Sequence, residues 1–280
     1  MSLQWDKLSS WQRDNQQILL GYRTSSNSFS KSFTSLIYIH NESVNIYSHL
    51  IPAVIISLFS ISFYTALARR YASVSAADAL VFGCFFLGAV LCLAISAIFH
   101  TVQNHSSRVA RIANQVDYIG IILLIVGSFI PSIFYGFYYH PNLQRVYLTM
   151  VCPHLLLGHS PLHRFSKITS LGLLCAAISA NPQFRHPTWR PFRAGMFISL
   201  GLSALFPVVH GAMKFGLKQI NRQIGLFWVA LQERISPGLF DIWISSHQIF
   251  HIMVVLAIIS HLRGLVNAFD YNHSVMALHC

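Results

Sequence analysis

"ALVFGCFFLGAVLCLAISAIFH", residues 79–100, runs for 22 positions without a Lys, Arg, Asp or Glu and closes on a histidine. As an α-helix it is about 33 Å long, enough to cross a hydrocarbon core of roughly 30 Å. The rest of the chain gives it no soluble shell. Of 280 residues, 54% are hydrophobic and 10% charged, against roughly 25% charged in an ordinary soluble domain. The bilayer is therefore the solvent, and the fold class is all-α integral membrane.

Working outward, apolar runs at 50–68, 116–139, 195–213 and 246–266 have the same length and low charge, and with 79–101 they make five spans. Between 143 and 181 the pattern breaks into two pieces of about 13 residues, "VYLTMVCPHLLLG" and "ITSLGLLCAAISA", parted by "HSPLHRFSK". At 224–231, "IGLFWVAL" would be only about 12 Å of helix. These runs predict three segments: 1–46 ahead of the bundle, a transmembrane bundle over 47–267, and a short tail over 268–280. Ser9 and Gln12 form a capping-box pattern that predicts a short interfacial helix ending at Gly21, with Trp11, Ile18, Leu19 and Tyr22 along one side.

Lys and Arg number 19 against 8 Asp and Glu, and the excess lies in short connections: Arg108 and Arg111, then Arg185, Arg190 and Arg193. With Arg23 and Lys31 before the first span, this positive-inside pattern places the amino terminus in the cytosol, although "RR" at 69–70 and "KFGLKQINRQ" at 214–223 pull the other way. Such basic loops suit anionic headgroups, so no nucleic-acid partner is expected. No apolar stretch near Met1 resembles a cleaved signal. Five cysteines, with Cys84, Cys92 and Cys175 inside apolar runs, give no disulfide framework.

Ionisable residues at membrane depth are expensive and mark function. Ser96 and His100 share a helical face at the end of the second span. Asp117 opens the third span after a short loop, and so returns from the same side. His247 and His251 open the last span at i, i+4. If the last span starts on that side too, three imidazoles and a carboxylate meet in one layer, the composition of a zinc site with a fourth position for water. Asp117 would hold that water, with Ser96 behind it. The bland alternative is a hydrogen-bonded cluster that glues helices together. Glu42, Asn45 and His49 also share one face; Glu42 is read as pairing with a basic residue, capping a helix or taking part in catalysis. His40, His105 and the histidines of 154–163 have no ligand spacing and are read as interfacial.

Taken together, Glu42-x-x-Asn45-x-x-x-His49, Ser96-x-x-x-His100, Asp117 and "SHQIFH" at 246–251 resemble the progestin and adipoQ receptor family. "HNESVNIYSHL", "RPFRAGMFISLGLSALFPVVHG" and "FDIWISSHQIFHIMVV" resemble its adiponectin-receptor-like branch, with the fungal osmotin-receptor and zinc-homeostasis proteins. The resemblance implies a seven-helix bundle of the adiponectin-receptor type with its amino terminus in the cytosol, here with an irregular fourth span, carrying an insertion at 153–170, and a truncated sixth. It implies zinc on His100, His247 and His251, with Asp117 on the zinc water.

The family's links to ceramide hydrolysis, lipid and sterol signalling and zinc homeostasis imply a zinc-dependent amide hydrolase acting on a ceramide-like membrane lipid, in the plasma membrane or an endomembrane. Asp117 and Ser96 are then the candidate catalytic residues, and an extracellular protein or sterol the candidate ligand. The rival expectation is a non-enzymatic receptor with structural zinc. A transporter lacks the paired broken spans such folds use.

Overall fold

Short polar sequences start three of the four long helices earlier than the apolar runs suggest. The computed structural model describes residues 3–13, 15–151, 189, 192, 195, 196, 199, 202 and 238–279, with side chains omitted for 149–151 and 275–279. Among these the helices are α1 (Phe29–Thr34), α2 (Ser43–Ala68), α3 (Ala76–Val102), α4 (Ser107–Gly136), α5 (Pro141–Val151) and α6 (Ser246–His279). Four are long and apolar enough to cross a membrane: α2, α3, α4 and the Ser246–Ser274 part of α6. They match four of the expected spans. The run at 195–213 and the pieces at 168–180 and 224–231 fall essentially outside the described residues, as does most of 146–158 beyond α5.

The differences have local causes. At α2, Ser43 Oγ accepts the His40 N–H at 2.9 Å, starting the helix seven residues before Leu50. At α4, the Ser106 side chain accepts the Val109 N–H at 3.4 Å, so Arg108 and Arg111 lie within the helix rather than in a loop. At the far end, α6 runs on to His279 where a tail from 268 was expected. Asp270, ion-paired to Arg70 at 2.9 Å, and the buried His273 give that extension partners.

The expected helix ending at Gly21 does not form. Ser9 makes no capping hydrogen bond, and only a 3-10 turn over Ser10–Gln12 appears. Tertiary partners take the backbone groups instead. Leu3 and Tyr22 exchange hydrogen bonds of 2.7 and 3.2 Å, Leu19 N–H donates to Asp241 Oδ1 at 2.8 Å, and Gly238 N–H donates to the Gln17 carbonyl at 3.0 Å.

The chain divides into two compact units. The first comprises Met1–Ile55, Leu91–Gly120 and Gly225–Ile258. Its amino-terminal segment closes over helix ends. Arg23, 5% exposed, donates to Ser35 Oγ and the Thr101 carbonyl, each at 2.8 Å, and to the His100 carbonyl, capping α3. Ser26 and Asn27 N–H groups reach the Asn104 and His105 carbonyls at 2.8 and 2.9 Å.

The second unit comprises Ile56–Val90, Ile121–Ile224 and Ile259–Cys280. Lipid offers no hydrophobic gain for joining helices, so close packing and polar contacts hold them. A Cβ on Gly88 would lie 2.6 Å from the Leu123 carbonyl oxygen, and one on Gly127 2.6 Å from that of Cys84; α3 and α4 approach so closely only because both are glycine. Phe63 packs edge-on to Phe82 and Phe86 at 5.0 Å. Asp78, buried in the first turn of α3, accepts from Ser75, Tyr135 and His273.

Candidate metal centre

The first unit gathers the polar residues. His100 stands in the last turn of α3, its carbonyl held by Arg23. His247 and His251 occupy the first turns of α6, whose start is a reciprocal box: Ser245 N–H donates to Gln248 Oε1 at 3.1 Å and Gln248 N–H to Ser245 Oγ at 3.4 Å. Just before it, Ile244 has φ of 61°. This conformation is strained for a β-branched residue, and it is held by Gln248 Nε2 donating to the Ile242 carbonyl at 2.8 Å and the Asn41 carbonyl at 3.4 Å.

The three imidazoles converge. Their ligand nitrogens all lie within 4.8 Å of one another, and His247 Nε2 is 3.4 Å from His100 Nε2. Tetrahedral zinc with bonds of about 2.0–2.1 Å sets its nitrogens roughly 3.3 Å apart, so the donor set fits such an ion with small adjustment. His100 and His251 are buried, while His247 is exposed.

The far nitrogens of the buried pair are engaged from α2 and from Glu42, the residue just before it. His100 Nδ1 lies 2.8 Å from Glu42 Oε2, and Asn45 Nδ2 donates to the same oxygen at 2.6 Å. His251 Nδ1 lies 3.1 Å from the Asn45 carbonyl and 3.3 Å from Ser48 Oγ. Both rings thereby keep Nε2 available, the arrangement of a metal-binding histidine backed by an acceptor. His49 stacks on His251, with centroids 3.8 Å apart and planes at 8°.

Asp117 lies within electrostatic reach of His100, with Ser96 close to its carboxyl group; it is not one of the grouped ligands. Burial pulls Arg23 down to about 10, still cationic at neutral pH. Burial alone would raise the Glu42 carboxyl; the contact with His100, the Asn45 amide and the Arg23 charge outweigh it and hold it at about 2.

All five sequence candidates, Ser96, His100, Asp117, His247 and His251, thus fall within one unit. The role of Glu42 as partner to His100 went unread; its shared face with Asn45 and His49 was the available signal. His40, expected at the interface, is buried and accepts the Glu42 N–H at Nδ1, 3.1 Å away.

Across residues 37–262 the chain matches the haemolysin-III related family. The chain belongs to that family. An ADIPOR-like receptor, IZH2 of Saccharomyces cerevisiae, is 39% identical over 97% of this chain and 85% of its own length. The adiponectin receptor protein of Drosophila melanogaster is 34% identical over 93% of this chain, which spans 58% of that protein. A progestin and adipoQ receptor-like protein 1 of Caenorhabditis elegans is 34% identical over 94% of the chain and 60% of its own length. The haemolysin-III related match takes in every residue of the centre, from Glu42 to His251, and the protein is an adiponectin-receptor-like, multi-pass membrane protein.

Proposed function

We propose that the three-histidine centre binds zinc, and that the protein hydrolyses the amide bond of a ceramide-like lipid as part of a lipid- and zinc-linked signalling role. One observation carries the reading: three imidazole nitrogens within 4.8 Å of one another, two of the rings buried and backed by Glu42 and Asn45. Bound zinc supplies Lewis acidity and makes water acidic near neutral pH, which amide hydrolysis requires.

The protein's own residues do the rest. Glu42 and the Asn45 carbonyl fix the ring orientation of His100 and His251. The Asp117 carboxylate, with Ser96 close by, takes the proton of the attacking water and returns it to the departing amine. The exposed apolar face of α2, with Ile51, Val54 and Ile55, offers the acyl chain a path within the bilayer. With Arg108 and Arg111 in the first turns of α4, this reading sets the centre near the cytosolic face, with the amino-terminal segment in the cytosol.

Metal analysis of purified protein, with fatty acid released from ceramide read by mass spectrometry, tests this. About one zinc per chain is expected, lost on joint substitution of His247 and His251 by alanine, and Asp117→Ala is expected to slow release at least about a hundredfold. Equal release by wild type and Asp117→Ala rules out the catalytic role. Zinc and thermal stability lost together in His251→Ala, with no turnover by wild type, would instead identify a receptor with structural zinc.

A further inference from the structure

A polar cluster in the second unit shares no residue with the histidine centre. Ser73 stands in the connection between α2 and α3, half-buried. Its Oγ lies 2.8 Å from Nδ1 of His273, and the other nitrogen of that ring, Nε2, lies 3.1 Å from Oδ1 of Asp78. Hydroxyl, imidazole and carboxylate thus form one hydrogen-bonded line from a partly open end to a closed one, since His273 is 0% and Asp78 1% exposed.

The protons give that line a direction. Asp78 accepts on both oxygens: Oδ2 takes the Ser75 N–H and Oγ–H, and Oδ1 the Tyr135 hydroxyl, each at 2.8 Å. A carboxylate so surrounded only accepts, so the neutral His273 ring carries its hydrogen on Nε2 and turns the Nδ1 lone pair to the Ser73 hydroxyl. Aromatic neighbours hold the ring: Phe269 at 4.3 Å, Tyr71 at 5.8 Å with planes 22° apart, and Tyr138 edge-on at 5.9 Å. A serine hydroxyl on an imidazole that a buried carboxylate orients is an activated nucleophile, recognised by geometry and not by fold or chain order. A cluster that only joined helices would be complete with Asp78, Tyr135 and His273; Ser73 adds a loop hydroxyl at the open end.

A second feature supplies the substrate class. An apolar cleft of about 320 Å³ lies between α2 and α3, lined by Ser57, Ser60, Phe63 and Tyr64 on one side and Phe82 and Phe86 on the other. The lining extends to Ala79, next to Asp78, so the cleft reaches the turn of α3 that carries the carboxylate. Exposed Arg69 and Arg70, followed by Tyr71, put the connection at headgroup level, where an ester would sit with its chain running inward.

We propose that Ser73, His273 and Asp78 form a second hydrolytic site, for acyl esters at the membrane–water boundary, with the acyl chain in the α2–α3 cleft. His273 Nδ1 takes the Ser73 proton as Oγ bonds to the ester carbonyl carbon; the bond from that carbon to the alcohol oxygen breaks, and the alcohol leaves with the proton. Water then gives a proton to Nδ1 and attacks the acyl-serine, the acyl–Oγ bond breaks, and the proton returns to Oγ as the carboxylic acid departs.

The test uses the full-length protein in nanodiscs with a chelator present, which silences metal-dependent turnover. An alkyl fluorophosphonate, which loses fluoride to activated serines, is expected to leave its adduct on Ser73 in digests read by mass spectrometry. p-Nitrophenyl octanoate is expected to be cleaved by wild type, at least about tenfold faster than the acetate that cannot fill the cleft, and not by Ser73→Ala. His273→Gln is expected to slow labelling and cleavage at least about a hundredfold. An unmodified Ser73 after prolonged exposure, or equal octanoate cleavage by wild type and Ser73→Ala, overturns the inference and leaves a network that joins helices. Labelling as fast in His273→Gln as in wild type overturns it too. Should His273→Gln not fold, the position of the adduct and Ser73→Ala, which loses only a loop hydroxyl, still decide.

Discussion

Arg23 has three buried acceptors to itself, two of them the carbonyls of His100 and Thr101 that end α3. Arg23→Met strands all three, and a loss of roughly 3 kcal/mol is expected in thermal unfolding in detergent, together with weaker zinc retention, because the turn carrying His100 is freed. An unchanged midpoint would show that water replaces the guanidinium. His40 gives a pH dependence. Burial and the Arg23 charge hold its pKa down at about 4, below the ordinary 6.5. The unfolded chain therefore binds a proton that the folded chain refuses, and stability contributed by the neutral ring is full above pH 6.5 and lost as pH falls toward 4, by up to about 3 kcal/mol. His40→Asn keeps an acceptor for the Glu42 N–H and is expected to flatten that part of the pH profile. At this scale the sequence showed the candidate ligands, because an imidazole inside an apolar run is conspicuous. Arg23, Glu42 and Gln248 were opaque, since a charged or amide residue outside a span looks solvated until its partner from a distant segment is known.

The pairing of α3 with α4 depends on what is missing from two residues. Gly127→Val is expected to lower the thermal midpoint markedly, because its side chain must enter the space of the Cys84 carbonyl. Gly83→Ala, where an added Cβ meets nothing within 4 Å among the described residues, should leave stability unchanged or raise it by up to about 1 kcal/mol. A Gly127→Val protein as stable as Gly83→Ala would show that the helices are free to separate. Span positions were legible from hydropathy alone; their beginnings were not. Asn45, His49, Arg108 and Arg111 interrupt the apolar pattern while remaining helical, since capping by Ser43 and Ser106 and partners in neighbouring segments settle the helix start. The capping pattern at Ser9 and Gln12 failed for the converse reason: Leu19 and Gln17 bond to Asp241 and Gly238, more than two hundred residues away.

For the molecule as a whole, counting spans left open the side on which α6 begins, since the pieces at 146–158, 168–180 and 224–231 are each too short to count. The 3.4 Å separation of His100 and His247 resolves that question. A chelator is expected to lower the midpoint of the zinc-loaded protein by on the order of 10 °C, as free zinc at a thousandfold its dissociation constant is worth about 4 kcal/mol. His100→Ala should melt at the same temperature with and without chelator; persistent sensitivity would place the metal elsewhere.

The stitching of residues 17–41 to residues 238–248 also dictates a timetable. A ribosome releases Gln17, Leu19 and Asn41 more than two hundred residues before their partners Gly238, Asp241 and Gln248. Until then the opening segment must wait beside a half-inserted bundle, and the pair of imidazoles on α6 arrives after every other member of the cluster. Closure thus waits for α6, and nascent chains stalled or clipped before it lack the centre however well their earlier helices have entered the bilayer.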